Sequence, residues 1–139
     1  MANSSGGIVP LIGRILISAV FILAGFGKIT GFSGEEMFVA SKHLPRPAVA
    51  LGIALVIELV GGLAILAGFY TRFTAWIVFL YMIPTTFLFH NFWAMQGGDR
   101  LNNMLHFEKN LAIMGGLLLL ATFGPGSMSV DGARAPKST

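Results

Sequence analysis

The sequence predicts an all-α fold: an integral membrane four-helix bundle with a short interfacial helix between spans 1 and 2. Two observations predict this class. Apolar residues make up 55% of the 139 residues and charged residues only 11%, against roughly 25% charged in a typical soluble protein. The apolar residues also fall in four long runs, and a soluble protein would leave much of that surface facing water.

The four runs lie within residues 1–124, which we interpret as one transmembrane domain. A hydrocarbon core of roughly 30 Å needs about 20 helical residues. The first three runs are long enough, and the fourth is if it begins near residue 105. Helices are expected because a backbone in lipid must satisfy its own hydrogen bonds. The predicted spans are about 8–28, 48–69, 73–90 and 105–123.

The connections predict how the spans are joined. Ser33 and Glu36 have the spacing of a capping box, in which each side chain bonds the other residue's backbone amide. We therefore expect a short interfacial helix over residues 34–43. The three-residue link at 70–72 is tight, so spans 2 and 3 should be antiparallel neighbours.

The last link and the C-terminus are expected to be irregular. Gly97, Gly98 and Asp99 predict a turn before span 4. Residues 125–139 are rich in Gly, Pro and Ser and are expected to form a flexible tail. Four spans put both termini on one side of the membrane. We assign that side to the cytoplasm, although the predicted Lys and Arg counts on the two sides are nearly equal.

Composition also narrows the function and the partners. The absence of cysteine excludes a disulfide scaffold and thiolate metal sites. The nine Lys and Arg residues are scattered and form no run, so nucleic acid is not an expected partner. The lipid bilayer is the expected environment.

Two ionisable residues lie deep within predicted spans. Arg14 is in span 1 and Glu58 is near the middle of span 2, and charges at such depths are a functional hypothesis by default. Their helical faces both point inward, and their depths differ by only about 6 Å. We therefore predict an Arg14–Glu58 pair, with Ser18 and Tyr81 in the same polar layer.

This polar layer has more than one interpretation. The pair could fix the register of the helices, or the layer could bind a polar head group, a quinone or a proton. Alternatively, Arg14 extends to the nearer surface, and a protonated Glu58 bonds Tyr81.

A second polar cluster is predicted on the opposite face of the membrane. Interfacial hydrogen bonding, proton exchange and metal binding are the alternatives for it. Metal is not expected, because His106 and Glu108 are two residues apart and diverge on a helix. The cluster consists of Lys28, His90, His106, Glu108 and Asn110.

Several motifs, taken in order, resemble the DoxX family of small bacterial and archaeal membrane proteins. They are Gly13-Arg14, Ala24-Gly25-Phe26-Gly27-Lys28, Glu58-Leu59-Val60-Gly61-Gly62-Leu63-Ala64, Gly68-Phe69-Tyr70-Thr71-Arg72, His90, Glu108, Asn110 and a G-x-G-x-x-S-x-D ending at residues 124–131. The resemblance implies a four-helix fold and a cell membrane (inner membrane) location. It also implies a link to subunits of thiosulfate:quinone oxidoreductase or terminal quinol oxidase.

We therefore expect an accessory or quinone-contacting membrane subunit of a redox or energy-converting complex of the respiratory chain. The partners would be other membrane subunits. No covalently bound cofactor is expected, and quinone is the candidate ligand. If the chain takes part in an enzyme, it would be a non-catalytic or quinone-linked subunit of an oxidoreductase. The alternative is a small-molecule or ion transporter, a permease acting as an oligomer.

Overall fold

The apolar runs form long helices, and the predicted all-α class is confirmed. A computed structural model describes residues 5–135, and all regular structure in that range is helical. A 3-10 turn, Phe92–Ala94, lies between the fourth and fifth α-helices. The α-helices are α1 (Ser5–Thr30), α2 (Phe32–Ser41), α3 (Pro47–Ala67), α4 (Thr71–Phe89), α5 (Gly97–Phe123) and α6 (Val130–Arg134).

The helices α1, α3, α4 and α5 are each long and apolar enough to cross a membrane. The first three agree with the predicted spans to within a few residues. The fourth begins at Gly97 instead of near residue 105, so the expected turn at residues 97–99 is the first turn of α5. Gln96 is extended and ends the preceding link, and Asp99 lies in the first turn of α5, where a negative charge favours a helix.

The outward faces of the four long helices are apolar. Leu23 on α1, for example, is 71% exposed, and similar residues project from α3, α4 and α5. Several polar side chains, in contrast, are buried inside, among them Ser18, Glu58, Thr86 and Asn110. This distribution suits a lipid environment, in which exposed apolar side chains carry no penalty.

The bundle packs α1 against α3, α3 against α4, and α4 against α5. Glycines allow the first of these contacts to be close. A Cβ on Gly25 would lie 2.6 Å from Leu59 Cγ, and one on Gly62 would lie 2.9 Å from Ile22 Cγ1. Small residues permit such backbone approach where no water drives association.

The short helix between spans 1 and 2 is present as α2, but it does not use the predicted capping box. Gly31 is its N-cap, and no side chain caps it. The Gly31 amide donates to Gly27 O and the Glu35 amide donates to Gly31 O, so the chain passes almost directly from α1 into α2. Ser33 therefore lies within the helix instead of at its cap.

The C-terminal segment, residues 124–135, differs from the expected flexible tail. Ser129 caps α6 by accepting a hydrogen bond from the Gly132 amide at 2.9 Å. The Asp131 carboxylate accepts from the Tyr70 amide at 2.9 Å and from the Thr71 amide and hydroxyl at 2.8 Å each. These bonds dock the segment on the start of α4. The remainder of the expected tail, residues 136–139, lies outside the described residues.

Candidate functional site

A buried ion pair and one hydrogen bond, both made by Glu58, join three spans of the bundle. Glu58, on α3, is 5% exposed. Its Oε2 atom lies 2.8 Å from Lys28 Nζ of α1, and its Oε1 atom accepts a hydrogen bond from the Tyr81 hydroxyl of α4 at 2.6 Å. A carboxylate is therefore held inside the bundle by one cation and one phenol.

The predicted pair of Arg14 and Glu58 is wrong. Arg14 donates to the carbonyls of Leu66, at 2.7 Å, and Met128 instead. The physical reason is the position of Arg14 beside the C-terminal end of α3, since the last carbonyls of a helix lack intrahelical donors and attract cations. Ser18 donates its hydrogen bond to Ile15 O of its own helix instead of to Glu58. The predicted contact between Glu58 and Tyr81 is present.

A cavity of about 350 Å³ lies beside this group, between α2, α3 and α4. Lys28 and Tyr81 line it, as do Glu35 and His90, and the rest of its lining is mostly apolar. Ala50 and Ala54 of α3 line it too, and larger side chains at these positions would fill it. Cavities of about 300 Å³ or more with apolar walls and a few polar groups are typical ligand sites.

The predicted cluster on the opposite face is not a single site. Lys28 belongs to the Glu58 pair, and the Asn110 amide donates to Thr86 Oγ1 at 3.1 Å inside the bundle. Glu108 is exposed. Within this predicted cluster, the rings of His90 and His106 stack, with their centroids 5.1 Å apart. Nowhere in residues 5–135 do three potential metal-ligating side chains come together.

Several residues of the site were missed or misplaced by sequence reasoning. Glu35 was not assigned to the site, and it lines the cavity. Asn103, which contacts His90 Nδ1 at 3.1 Å, was not singled out. Lys28 was assigned to the wrong cluster. The available signal was its helical phase, because Lys28 lies on the same inward face of α1 as Arg14 and Gly25.

Four membrane-length helices around a buried ion pair define a small multi-pass membrane protein with a polar site inside its bundle. The chain belongs to the DoxX family, which matches residues 9–91. It is 40% identical over 121 residues to Inner membrane protein YphA of Escherichia coli K12, covering 87% of this chain and 86% of YphA. It is 45% identical over 121 residues to Inner membrane protein YqjF of the same organism, covering 87% and 88%.

A more distant relative is longer. The chain is 26% identical over 129 residues to ER-derived vesicles protein ERV29 of Saccharomyces cerevisiae, covering 93% of this chain and 34% of ERV29. No solved structure matches the chain.

Proposed function

We propose that the cavity binds the ring of a quinone-class ligand, and that the chain acts as a membrane subunit of a redox complex in a bacterial inner membrane. One observation carries the proposal: an apolar cavity of about 350 Å³ that reaches the buried Lys28–Glu58–Tyr81 group. A cavity among membrane-spanning helices, with apolar walls and few polar groups, suits a lipid-soluble ring that bears polar oxygens.

Each part of the site would have a defined role. Lys28 is ion-paired with Glu58 and lines the cavity, and its ammonium group carries three N–H donors for a ligand oxygen. Glu58 fixes both Lys28 and Tyr81 in place. Phe38 of α2 and Phe89 of α4 line the cavity with their rings 5.6 Å apart, and such rings favour aromatic ligands. Electron transfer would occur in a partner subunit, to which this chain presents the ligand.

Binding tests the cavity directly. A short-chain ubiquinone is titrated into the protein purified in maltoside, and heat of binding is measured. Ala54→Phe fills the cavity, so we expect at least about a tenfold loss of affinity. Ala112→Phe is the matched control, since Ala112 lies on the exposed face of α5, and its affinity should equal that of the wild type. No saturable binding, or equal binding by both variants, would contradict the proposal.

The subunit role needs a second experiment. The protein is purified gently from its native membrane, and the proteins that travel with it are identified by mass spectrometry. We expect a redox protein in stable proportion. If the chain instead remains alone, and liposomes that contain it show solute flux that Glu58→Gln abolishes, the transporter alternative replaces this proposal.

A further inference from the structure

We infer that His90 makes the cavity select ligands that carry a hydroxyl hydrogen, so that a quinol or another phenol binds more tightly than the corresponding quinone. The inference rests on the proposed function, because it specifies which chemical form of the ligand the same cavity prefers. It follows from an inventory of the hydrogen-bond donors and acceptors that line the cavity.

The hydrogen bonds around His90 determine which of its nitrogens carries the proton. The Asn103 side-chain amide donates to Asp99 O at 3.0 Å. That backbone carbonyl can only accept, so the orientation of the Asn103 amide is fixed with Oδ1 toward His90. Asn103 Oδ1 lies 3.1 Å from His90 Nδ1, and Nδ1 must therefore donate. In the neutral imidazole, Nε2 is then an acceptor.

The other polar groups of the cavity are also mostly acceptors. The Tyr81 hydroxyl donates its hydrogen to Glu58 Oε1, and the Thr85 hydroxyl donates its hydrogen to Tyr81 O at 2.9 Å. Each hydroxyl oxygen can then only accept from a ligand. The Glu35 carboxylate is an acceptor as well when ionised. Among the residues that line the cavity, Lys28 supplies the side-chain donor, which it shares with Glu58.

This imbalance discriminates between ligands. A carbonyl oxygen finds a partner in Lys28 but has no hydrogen to donate to His90 Nε2, and a polar atom that a ligand covers without pairing it is costly. A hydroxyl group can donate to His90 or to another acceptor of the cavity. Sites that hydrogen-bond a hydroxyl group reject analogues that lack it far more strongly than apolar pockets reject size differences.

Three probes of similar size test the inference. They are trimethylhydroquinone, its dimethyl ether and trimethyl-1,4-benzoquinone, each titrated without oxygen at pH 8, where a histidine is ordinarily neutral. We expect the hydroquinone to bind at least about tenfold more tightly than the other two. His90→Phe should remove this preference. His106→Phe is the control: it keeps an aromatic ring stacked on His90, so this variant should retain the preference for the hydroquinone.

A second variant covers the case in which His90→Phe does not fold. Asn103→Leu leaves the imidazole in place but removes the acceptor at Nδ1, so His90 can present an N–H group to the cavity. The preference should then shift toward the benzoquinone. Equal affinity for the three probes, or an unchanged preference in both variants, would overturn the inference and leave the cavity proposal intact. If none of the probes binds, the proposed function fails as well.

Discussion

Glu58 obtains its counter-ion from the far end of α1. Burying two charges is costly, and their attraction offsets that cost only with good geometry and additional hydrogen bonds. The 2.8 Å contact with Lys28 supplies the attraction, and the 2.6 Å bond from Tyr81 supplies one additional hydrogen bond. The Lys28 side chain is 18% exposed, so a long apolar stem delivers its charge to a much more deeply buried carboxylate.

We expect Glu58→Gln to lower the free energy of unfolding by about 3 kcal/mol, because it leaves the Lys28 ammonium unpaired in a low-dielectric setting. Lys28→Met should have a similar effect. The double variant should lose much less than the sum of the two. Unfolding by SDS from maltoside micelles measures these differences.

The control for this cycle is Glu108→Gln. Glu108 is exposed on α5, and its substitution should change stability by no more than about 0.5 kcal/mol. If the effects of the Lys28 and Glu58 substitutions simply add, the ion pair contributes nothing to the fold.

Asp131 acts as the cap of a helix that begins some 60 residues earlier. Burial opposes the charged form of its carboxyl group, but the hydrogen bonds from Thr71 and Tyr70 and the charge of Arg134 outweigh that effect. They hold the pKa of Asp131 below its ordinary value. A negative charge at this position also complements the N-terminal dipole of α4.

We expect Asp131→Ala to cost about 1–2 kcal/mol of stability at pH 7. Because the folded-state pKa is lowered, the wild type has this stabilisation above its unfolded-state pKa of about 3.9. The wild type loses this stabilisation as the pH falls through the lower, folded-state pKa of Asp131. The variant should therefore lose less stability than the wild type between pH 7 and pH 3.

Thermal unfolding at the two pH values tests this, with Glu108→Ala as the control that keeps the wild-type acid response. A wild-type acid response in Asp131→Ala would show that the carboxylate of Asp131 does not stabilise the fold.

At the residue scale, the sequence predicted which side chains are buried better than it predicted their partners. The positions of Glu58 and Tyr81 on inward faces at similar depth followed from helical phase and rise. Helix tilt and side-chain reach cannot be derived from spacing. The predicted depths of Arg14 and Glu58 differed by only about 6 Å. Arg14 is nevertheless held by carbonyls at the end of α3 and in the C-terminal segment.

At the scale of elements, Arg14 joins three parts of the chain. From α1, it donates to the end of α3 at Leu66 and to the C-terminal segment at Met128. Gly68 makes room for this arrangement. Its φ of +69° is unfavourable for other residues, and a Cβ there would lie 2.6 Å from Arg14 Nη1.

We expect Arg14→Gln to release the C-terminal segment while the spans remain folded. If the lost contacts stabilise docking by about 1.4 kcal/mol, the open population rises about tenfold. Trypsin cleavage after Arg134 should accelerate by a similar factor. Mass spectrometry of timed digests provides the measurement.

Arg100→Gln is the matched control, since Arg100 is exposed on α5 and its loss should not change cleavage after Arg134. An unchanged cleavage rate in Arg14→Gln would show that Arg14 does not hold the segment in place.

Sequence reasoning predicted the long elements well and the short ones poorly. Four apolar runs mark four helices, because each run must cross the same thickness of hydrocarbon. The start of α5 is more polar and carries no such signal, so Gly97 and Gly98 indicated a turn. The composition of residues 125–139 predicted a flexible tail, but the order of residues 124–135 depends on bonds to Arg14 and Thr71 that no local pattern reveals.

At the scale of the whole molecule, four crossings fix the relative sides of the loops. We expect a reporter inserted after Gln96, between α4 and α5, to lie across the membrane from one fused after Thr139. A reporter after Ser41 should lie on the same side as the one after Gln96. Paired alkaline phosphatase and green fluorescent protein fusions measure these sides. If the Gln96 and Thr139 fusions report the same compartment, the four-span arrangement is wrong.

The contact between Arg14 and Met128 has a consequence for synthesis of the protein. The two residues are 114 positions apart, so the first helix enters the membrane long before the ribosome has made its last hydrogen-bond acceptor. Until then, the Arg14 guanidinium can pair with the carbonyls at the end of α3 but not with the carbonyl of Met128. A chain that stalls before residue 128 therefore lacks one of the acceptors that hold the first helix against the rest of the bundle.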